Sequence, residues 1–262
     1  MTTQLTVLLV GGTGRTGRRV LEQLLGREID VRAIVRSADR LPAGVADNPR
    51  LHVVAADLLS LSDAELRNHV RGCDAVISCL GHVVSLQGIF GPPRDLVAQA
   101  TTGLCRAIEA QKPSTPIKFI LLSNVTVHRP GRLDTRRGTL ETVVVAMLRG
   151  LVPAVRDNQR PADFLLSDVG PDNPFVQWVV IRPDTLRDGE ISEYAVHEGL
   201  VGRLGQYSTN MANVAHFMCE LVTDSKLWGE WKGELPVVVN SGTVARGSGS
   251  PAPPNNRFER TA

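Results

Sequence analysis

Two rhythms of apolar and polar positions alternate along the chain. Short runs of aliphatic and β-branched residues occur at Thr6 to Val10, Asp30 to Val35, Leu51 to Ala56, Ala75 to Leu80, Lys118 to Ser123, Trp178 to Arg182 and Pro236 to Asn240. Most are continuously apolar rather than alternating, the pattern of strands covered on both faces, which favours a parallel sheet. Between them, apolar residues recur at helical spacing. Val20, Leu21, Leu24 and Leu25 form one stripe, and Gly26 is expected to close that helix in the left-handed conformation. Ser62 with Glu65 three residues on reads as a capping box that opens a helix through Leu66 and Val70. From Asp95, the residues Leu96, Val97, Ala100, Leu104 and Ile108 mark a helix that Pro113 forbids from continuing. Val214, Phe217, Met218, Leu221 and Val222 mark another. This order predicts a doubly wound α/β fold, a parallel sheet with helices on both faces and right-handed crossovers.

Two stretches depart from that rhythm. Residues 126–176 are long and rich in Arg and Pro, with helices predicted at Thr139 to Leu148 and from Arg160 to Val169. In a doubly wound fold such material lies beyond the strand ends, so this stretch and 187–207 are read as the substrate-side wall. Residues 241–262 are too poor in apolar side chains to pack and are expected to form a disordered tail behind a single domain of residues 1–240.

Charge and cysteines narrow the function classes. The 29 Lys and Arg against 27 Asp and Glu give a formal charge of +2, without the basic field that nucleic-acid binding needs. No apolar run reaches the ~20 residues of a membrane span. Cys73, Cys79, Cys105 and Cys219 form no CxxC pair and no metal spacing with a histidine pair, so no structural metal is expected. Together with an N-terminus that shows no signal-peptide pattern, they point to a reducing, cytoplasmic setting.

The chemistry begins at "VLLVGGTGRTGRRV". Gly11, Gly14 and Gly17 fit GxxGxxG, while Gly12, Gly14 and Gly17 fit GxGxxG. Between a strand and a helix, such glycines give a tight turn, close approach of a pyrophosphate to the backbone, and close helix packing. The amides of Thr13, Gly14, Arg15 and Thr16 are the candidate phosphate contacts, and the helix N-terminus adds its partial positive charge. Dinucleotide sites that choose NAD place an acid at the end of the second strand, against the ribose 2′-hydroxyl. Here that position is Arg36, whose guanidinium suits a 2′-phosphate, with Arg15 as a second cationic contact. The expectation is NADP(H), with NADPH preferred over NADH.

With "VVAADL", "AVISCLG", "KFILLSNV" and "WVVIRPDTL", these residues resemble the atypical short-chain dehydrogenase/reductase proteins, specifically the NmrA-like, NAD(P)H-binding group, over about Thr6 to Asn240. The resemblance implies a Rossmann-type fold. It places Asp57 at the adenine amino group with Leu58 beside it, Cys79, Leu80 and Gly81 along the adenosine ribose, Ser123 at a catalytic serine position, and Pro183 at the nicotinamide end. Asp57 equally suits a turn or helix cap.

The chain departs from that family in one respect. Reductases of the superfamily use YxxxK, a proton-donating tyrosine and a lysine that tunes it. The only tyrosines here are Tyr194 and Tyr207, followed four residues on by Glu198 and Met211. Aligning "NQRPADFLL" with the lysine-bearing helix puts Val155 at the tyrosine position and Gln159 at the lysine position, and neither can do that work. Candidate replacements near the strand ends are His82 and His128, then Asn124 and Asp157; Asn124 also suits a strand-end hydrogen bond and Asp157 a helix cap. The cluster Arg129, Arg132, Arg136 and Arg137 reads as a solvated loop. Three functions are in view: an NADP(H)-dependent oxidoreductase acting on a small carbonyl, enone or related substrate; a non-catalytic NADP(H) sensor that works on a regulatory protein partner; and an assembly factor or scaffold that keeps the fold and only weak binding.

Overall fold

The computed structural model describes residues 4–81, 95–129, 153–202 and 205–241. Six parallel strands form one sheet: β1 (Thr6–Val10), β2 (Asp30–Val35), β3 (Leu51–Ala55), β4 (Ala75–Ser78), β5 (Ile117–Leu122) and β6 (Val176–Ile181), in the order β3-β2-β1-β4-β5-β6. The chain starts in the middle, builds outward to β3, then returns to lay β4 on the free side of β1. Val7 is thereby paired with Val31 on one side and Ala75 on the other. Strand order reverses between β1 and β4, and doubly wound sheets bind ligands at the carboxyl ends of such strands.

The pleat sorts the side chains of each strand between two apolar layers. Val7 and Leu9 face α1 (Arg15–Gly26), whose stripe of Val20, Leu21, Leu24 and Leu25 is buried there. The same layer holds α5 (Met211–Thr223) and α6 (Ser225–Trp231), with Phe217 and Trp231 packed edge to face at 6.3 Å. Leu8 and Val10 face the opposite layer, covered by α2 (Asp63–Val70), α3 (Leu96–Gln111) and α4 (Pro153–Phe164). The predicted capping box is present: Ser62 Oγ accepts from Glu65 N–H and the Glu65 carboxylate accepts from Ser62 N–H.

Several boundaries differ from the sequence expectation. Gly26 stays helical, and the left-handed residue is Glu28, at φ 59°. Glu28 N–H donates to Leu25 O and Ile29 N–H to Leu24 O, the paired bonds of a helix terminus that lies two residues further along than the glycine suggested. The helix expected from Arg160 begins at Pro153 and passes through Pro161, then loosens into a wider turn over Leu165–Val169.

The last apolar run does not extend the parallel sheet. Val180 N–H bonds Glu234 O and Arg182 N–H bonds Pro236 O, so the approach runs beside β6. Then β10 (Val237–Asn240) pairs antiparallel with β8 (Tyr194–His197). A second small pair joins β7 (Thr185–Arg187) to β9 (Ser208–Asn210) in parallel. The helix predicted at Thr139 to Leu148 and the tail 242–262 lie outside the described residues.

Candidate functional site

At the end of β1 the chain turns through Gly11, which has φ +79°. A Cβ there would stand 2.6 Å from the carbonyl carbon and oxygen of Cys79, because β1 and β4 converge at that point. Gly14 N–H closes the turn on Gly11 O at 3.0 Å. Gly17, in the first turn of α1, sits over the same carbonyl, and a Cβ on it would meet Gly11 O at 2.1 Å. At Gly12 the added atom would meet only the Leu9 side chain, at 3.2 Å. Gly11, Gly14 and Gly17 thus carry the geometry, which is the GxxGxxG reading.

Helix α1 starts behind this turn with Gly14 as an extended N-cap, no side-chain cap and no acid in its first turn. Its first N–H groups and the positive end of its dipole therefore remain available to an anion. Gly12, Thr16 and Gly17 are buried beneath the turn, and Thr13 and Gly14 face a cavity.

That cavity, about 180 Å³, lies across the carboxyl ends of β1 to β4. Ile34 and Val35 give it an apolar wall, Asp57 and Leu58 one rim, and Cys79, Leu80 and Gly81 the other. Burial pushes the Cys79 thiol well above its usual range, so it is a neutral wall group. Asp57 has the cap role that its sequence also suited, Oδ1 accepting from Leu59 N–H at 3.0 Å to close a short turn, and the residue lines the cavity. Arg36 stands at the end of β2 as expected, and Arg40 joins it from the following turn. Sequence reasoning passed over Arg40, although its place four residues after Arg36 was a usable signal. No ion pair holds either guanidinium among the described residues. Arg15 departs from expectation: with Arg19 it clasps Asp188, at 2.7 and 2.9 Å, and it lies outside the cavity wall.

A second group of candidates follows β5. Ser123 N–H bonds Ile181 O at 2.8 Å, and Val125 N–H bonds the carbonyl of buried Pro183 at 3.2 Å. The Ser123 hydroxyl is buried without a hydrogen-bond partner. Neither Ser123 nor Pro183 lines the cavity described above. Asn124 makes the turn, its Oδ1 accepting from Thr126 N–H at 2.9 Å, and this local bond accounts for the side chain. Arg182, 2% exposed, reaches under the segment and donates to the carbonyls of Val127, Leu235 and Glu198. His128 then meets Gln159 of α4 through three contacts: its N–H and ring Nδ1 lie 3.1 and 3.0 Å from Gln159 Oε1, and Gln159 Nε2 donates to its carbonyl at 3.0 Å.

Asp157, offered by sequence as a proton-transfer candidate, is a cap. Its carboxylate, 1% exposed, accepts from Val97 N–H at 2.9 Å and Ala98 N–H at 3.1 Å at the start of α3. Tyr194 bonds His216 at 2.8 Å and Tyr207 donates to Val201 O at 3.4 Å, so each phenol has a local partner. Val155 falls in the first turn of α4. His82, Arg132, Arg136 and Arg137 lie outside the described residues. Among the described residues, no cluster of His, Cys, Asp or Glu is arranged to hold a metal, and no helix is long and apolar enough to cross a membrane.

A family model described as NAD(P)H-binding matches residues 11–225. An uncharacterized chloroplastic protein of Arabidopsis thaliana is 30% identical over 125 residues, 47% of this chain and 42% of that protein, so the match spans less than half of the relative. Among solved structures, the oxidoreductase ylbE of Lactococcus lactis superposes with TM-score 0.64 at 19% identity, covering 90% of this chain and 91% of that one. A short-chain dehydrogenase/reductase of Veillonella parvula, in complex with NADP, superposes with TM-score 0.65 at 13% identity, covering 92% and 97%. At these identities the likeness is one of fold, Rossmann-type and shared across nearly the whole chain. Glycine turn, uncapped helix and strand-end cavity all fall within the matched span, and the chain belongs to the NAD(P)H-binding family.

Proposed function

We propose that the protein is an NADP(H)-dependent oxidoreductase of the atypical short-chain type, which exchanges hydride and proton with a small carbonyl or related substrate. The observation that carries the cofactor choice is the pair Arg36 and Arg40 at the cavity, where an NAD site would place an acid. Two guanidiniums with no ion pair among the described residues suit a 2′-phosphate. The cradle supports the reading: Gly11 and Gly17 leave the space a Cβ would fill, and the first amides of α1 offer donors to a pyrophosphate. Bound there, the reduced cofactor supplies a hydride.

The chain's own residues would do the rest. The turn holds the phosphates, Asp57 and the apolar wall orient the adenosine, and His128 beyond β5 is the proton donor, with Ser123 beside the same strand end. The oxidoreductase name of the Lactococcus structure and the bound NADP of the Veillonella structure support this assignment.

Titration calorimetry with NADPH and NADH, repeated on Arg36→Asp, tests the proposal. NADPH should bind more tightly, and charge reversal should weaken it by more than about 2 kcal/mol, the upper range for hydrogen bonds to charged groups. Equal affinity for the two nucleotides, or an unaffected Arg36→Asp, refutes the assignment.

A second reading rests on the absent YxxxK: the protein binds NADP(H) without turnover and presents a redox-dependent surface to a regulatory partner. Oxidation of NADPH with a panel of carbonyls and quinones supports the enzyme. Tight binding with no turnover, and a partner recovered with one redox form only, supports the sensor.

A further inference from the structure

The alignment of "NQRPADFLL" sets Gln159 against the superfamily's lysine, and its surroundings in the structure fix both ends of its amide. Nε2 lies 3.0 Å from the backbone carbonyl oxygen of His128, which can only accept, and 2.8 Å from Asp163 Oδ1. Oε1 lies 3.1 Å from the backbone N–H of His128, which can only donate. Turning the amide over would set oxygen against oxygen and N–H against N–H, so a single orientation satisfies the backbone. The residue is 8% exposed, and water cannot readily stand in for these partners.

That orientation decides the histidine ring. His128 Nδ1 lies 3.0 Å from the same Oε1, an atom with no hydrogen to give. The contact is a hydrogen bond only if Nδ1 carries the proton. We infer that Gln159 is a positioning residue that holds His128 in the Nδ1–H tautomer, so that any proton exchanged with a substrate is carried on Nε2.

The chemical use of this device rests on the oxidoreductase reading. In the reducing direction the Nε2–H bond of the imidazolium breaks, its electron pair stays on Nε2, and the proton forms an O–H bond at the substrate carbonyl oxygen. The hydride that balances this proton at the carbonyl carbon would be supplied by a reduced nicotinamide cofactor held by the glycine turn and the strand-end cavity. The ring is left neutral with its hydrogen on Nδ1, the form Gln159 already bonds, so nothing reorients. In the oxidising direction the Nε2 lone pair takes the alcohol proton and the same steps reverse. The replacement of lysine then has a physical reason. Lysine has no acceptor for Nδ1–H, and its charge beside the ring would disfavour the imidazolium. A neutral amide supplies the acceptor without that charge.

Long-range proton–nitrogen correlation spectra of protein labelled with nitrogen-15 histidine test the inference, with the His128 peaks identified by their loss in His128→Gln. At a pH where the ring is neutral, the wild type should show a protonated Nδ1. Gln159→Leu should shift the ring toward Nε2–H, while Gln159→Glu, which keeps an acceptor, should retain Nδ1–H. An Nε2–H pattern in the wild type overturns the inference, as does an unchanged pattern in Gln159→Leu; the wild-type spectrum decides even if the leucine variant does not fold. With a substrate in hand, Gln159→Leu should lower kcat at least about tenfold with little change in KM, a part of the roughly 10²–10⁴-fold that general acid–base catalysis supplies. If the wild type shows Nδ1–H but His128→Gln retains full turnover, the proton-donor role under the proposed function fails while the tautomer assignment stands.

Discussion

Two glycines of α1 should answer the same substitution with opposite signs. In a helix interior, replacing glycine by alanine gains about 1 kcal/mol from reduced backbone freedom in the unfolded chain and better helix propensity. Gly26 has open space around the position of its missing Cβ and lies outside the positive-φ residues, so Gly26→Ala should collect most of that gain. Gly17→Ala has the same gain and a larger cost. Its Cβ would stand 2.1 Å from Gly11 O, and the turn must retreat by about 1.3 Å before ordinary contact is restored, which puts the change among the costlier overpacking substitutions, about 1–3 kcal/mol or more. The retreat also stretches the 3.0 Å bond from Gly14 N–H to the same carbonyl, at about 1 kcal/mol. We expect Gly17→Ala to lose about 2 kcal/mol net and Gly26→Ala to gain somewhat under 1. Urea denaturation followed by circular dichroism measures both. At ~2–4 °C per kcal/mol for a chain of this size, thermal melts should separate the variants by several degrees. A Gly17→Ala protein as stable as the wild type would refute the steric account of the turn, and with it the claim that Gly11, Gly14 and Gly17 form the cradle.

Further outcomes follow from groups away from the glycine turn. Arg182→Lys should destabilise by about 3 kcal/mol or more in urea, since a point-charge ammonium cannot serve the Val127, Leu235 and Glu198 carbonyls at once; a loss below 1 would mean the carbonyls find other donors. Burial is the main cause that lowers the His216 pKa, with Arg27 adding to it and Glu220 opposing, while Tyr194 bonds its Nδ1. A lowered histidine pKa means the unfolded chain binds more protons between the folded value and 6.5. The stability linked to His216 is therefore complete above pH 6.5 and is lost as pH falls through the folded pKa. Denaturation midpoints for wild type and His216→Gln, compared across this window, should show the steeper acid loss in the wild type; parallel curves would refute it.

Those features that arise from neighbouring residues were legible. β1 and β2 fall where the apolar runs placed them, and the Ser62–Glu65 box and the turn after β1 are written in a few adjacent letters. What escaped depends on residues far apart in the chain. Arg15 reads as a phosphate ligand until Asp188, 173 positions later, is seen to claim it. Asp157 has a role only once α4 is brought against the start of α3, 60 residues earlier. Val237–Asn240 has the composition of a buried parallel strand, and only its pairing with Tyr194–His197 reveals an antiparallel one. Gly26 misled for a different reason: Ile29 and Leu24 pack in the same layer and Glu28 accepts the left-handed conformation, so tertiary contact set the helix end two residues beyond the local signal.

The Asp157 cap has an effect on the whole strand edge. Of the helices that follow β1, β3 and β4, α2 is closed by Ser62 and Glu65 and α3 by the carboxylate of Asp157, while α1 begins with bare amides. Two of three positive helix ends are already answered by the protein's own negative charge. Among the described residues the edge is therefore uneven: only the start of α1, beside the glycine turn, keeps bare amides for an anion, while the starts of α2 and α3 are already occupied. Asp157, which on this account touches no ligand, keeps the start of α3 from competing with that of α1 for the same anion.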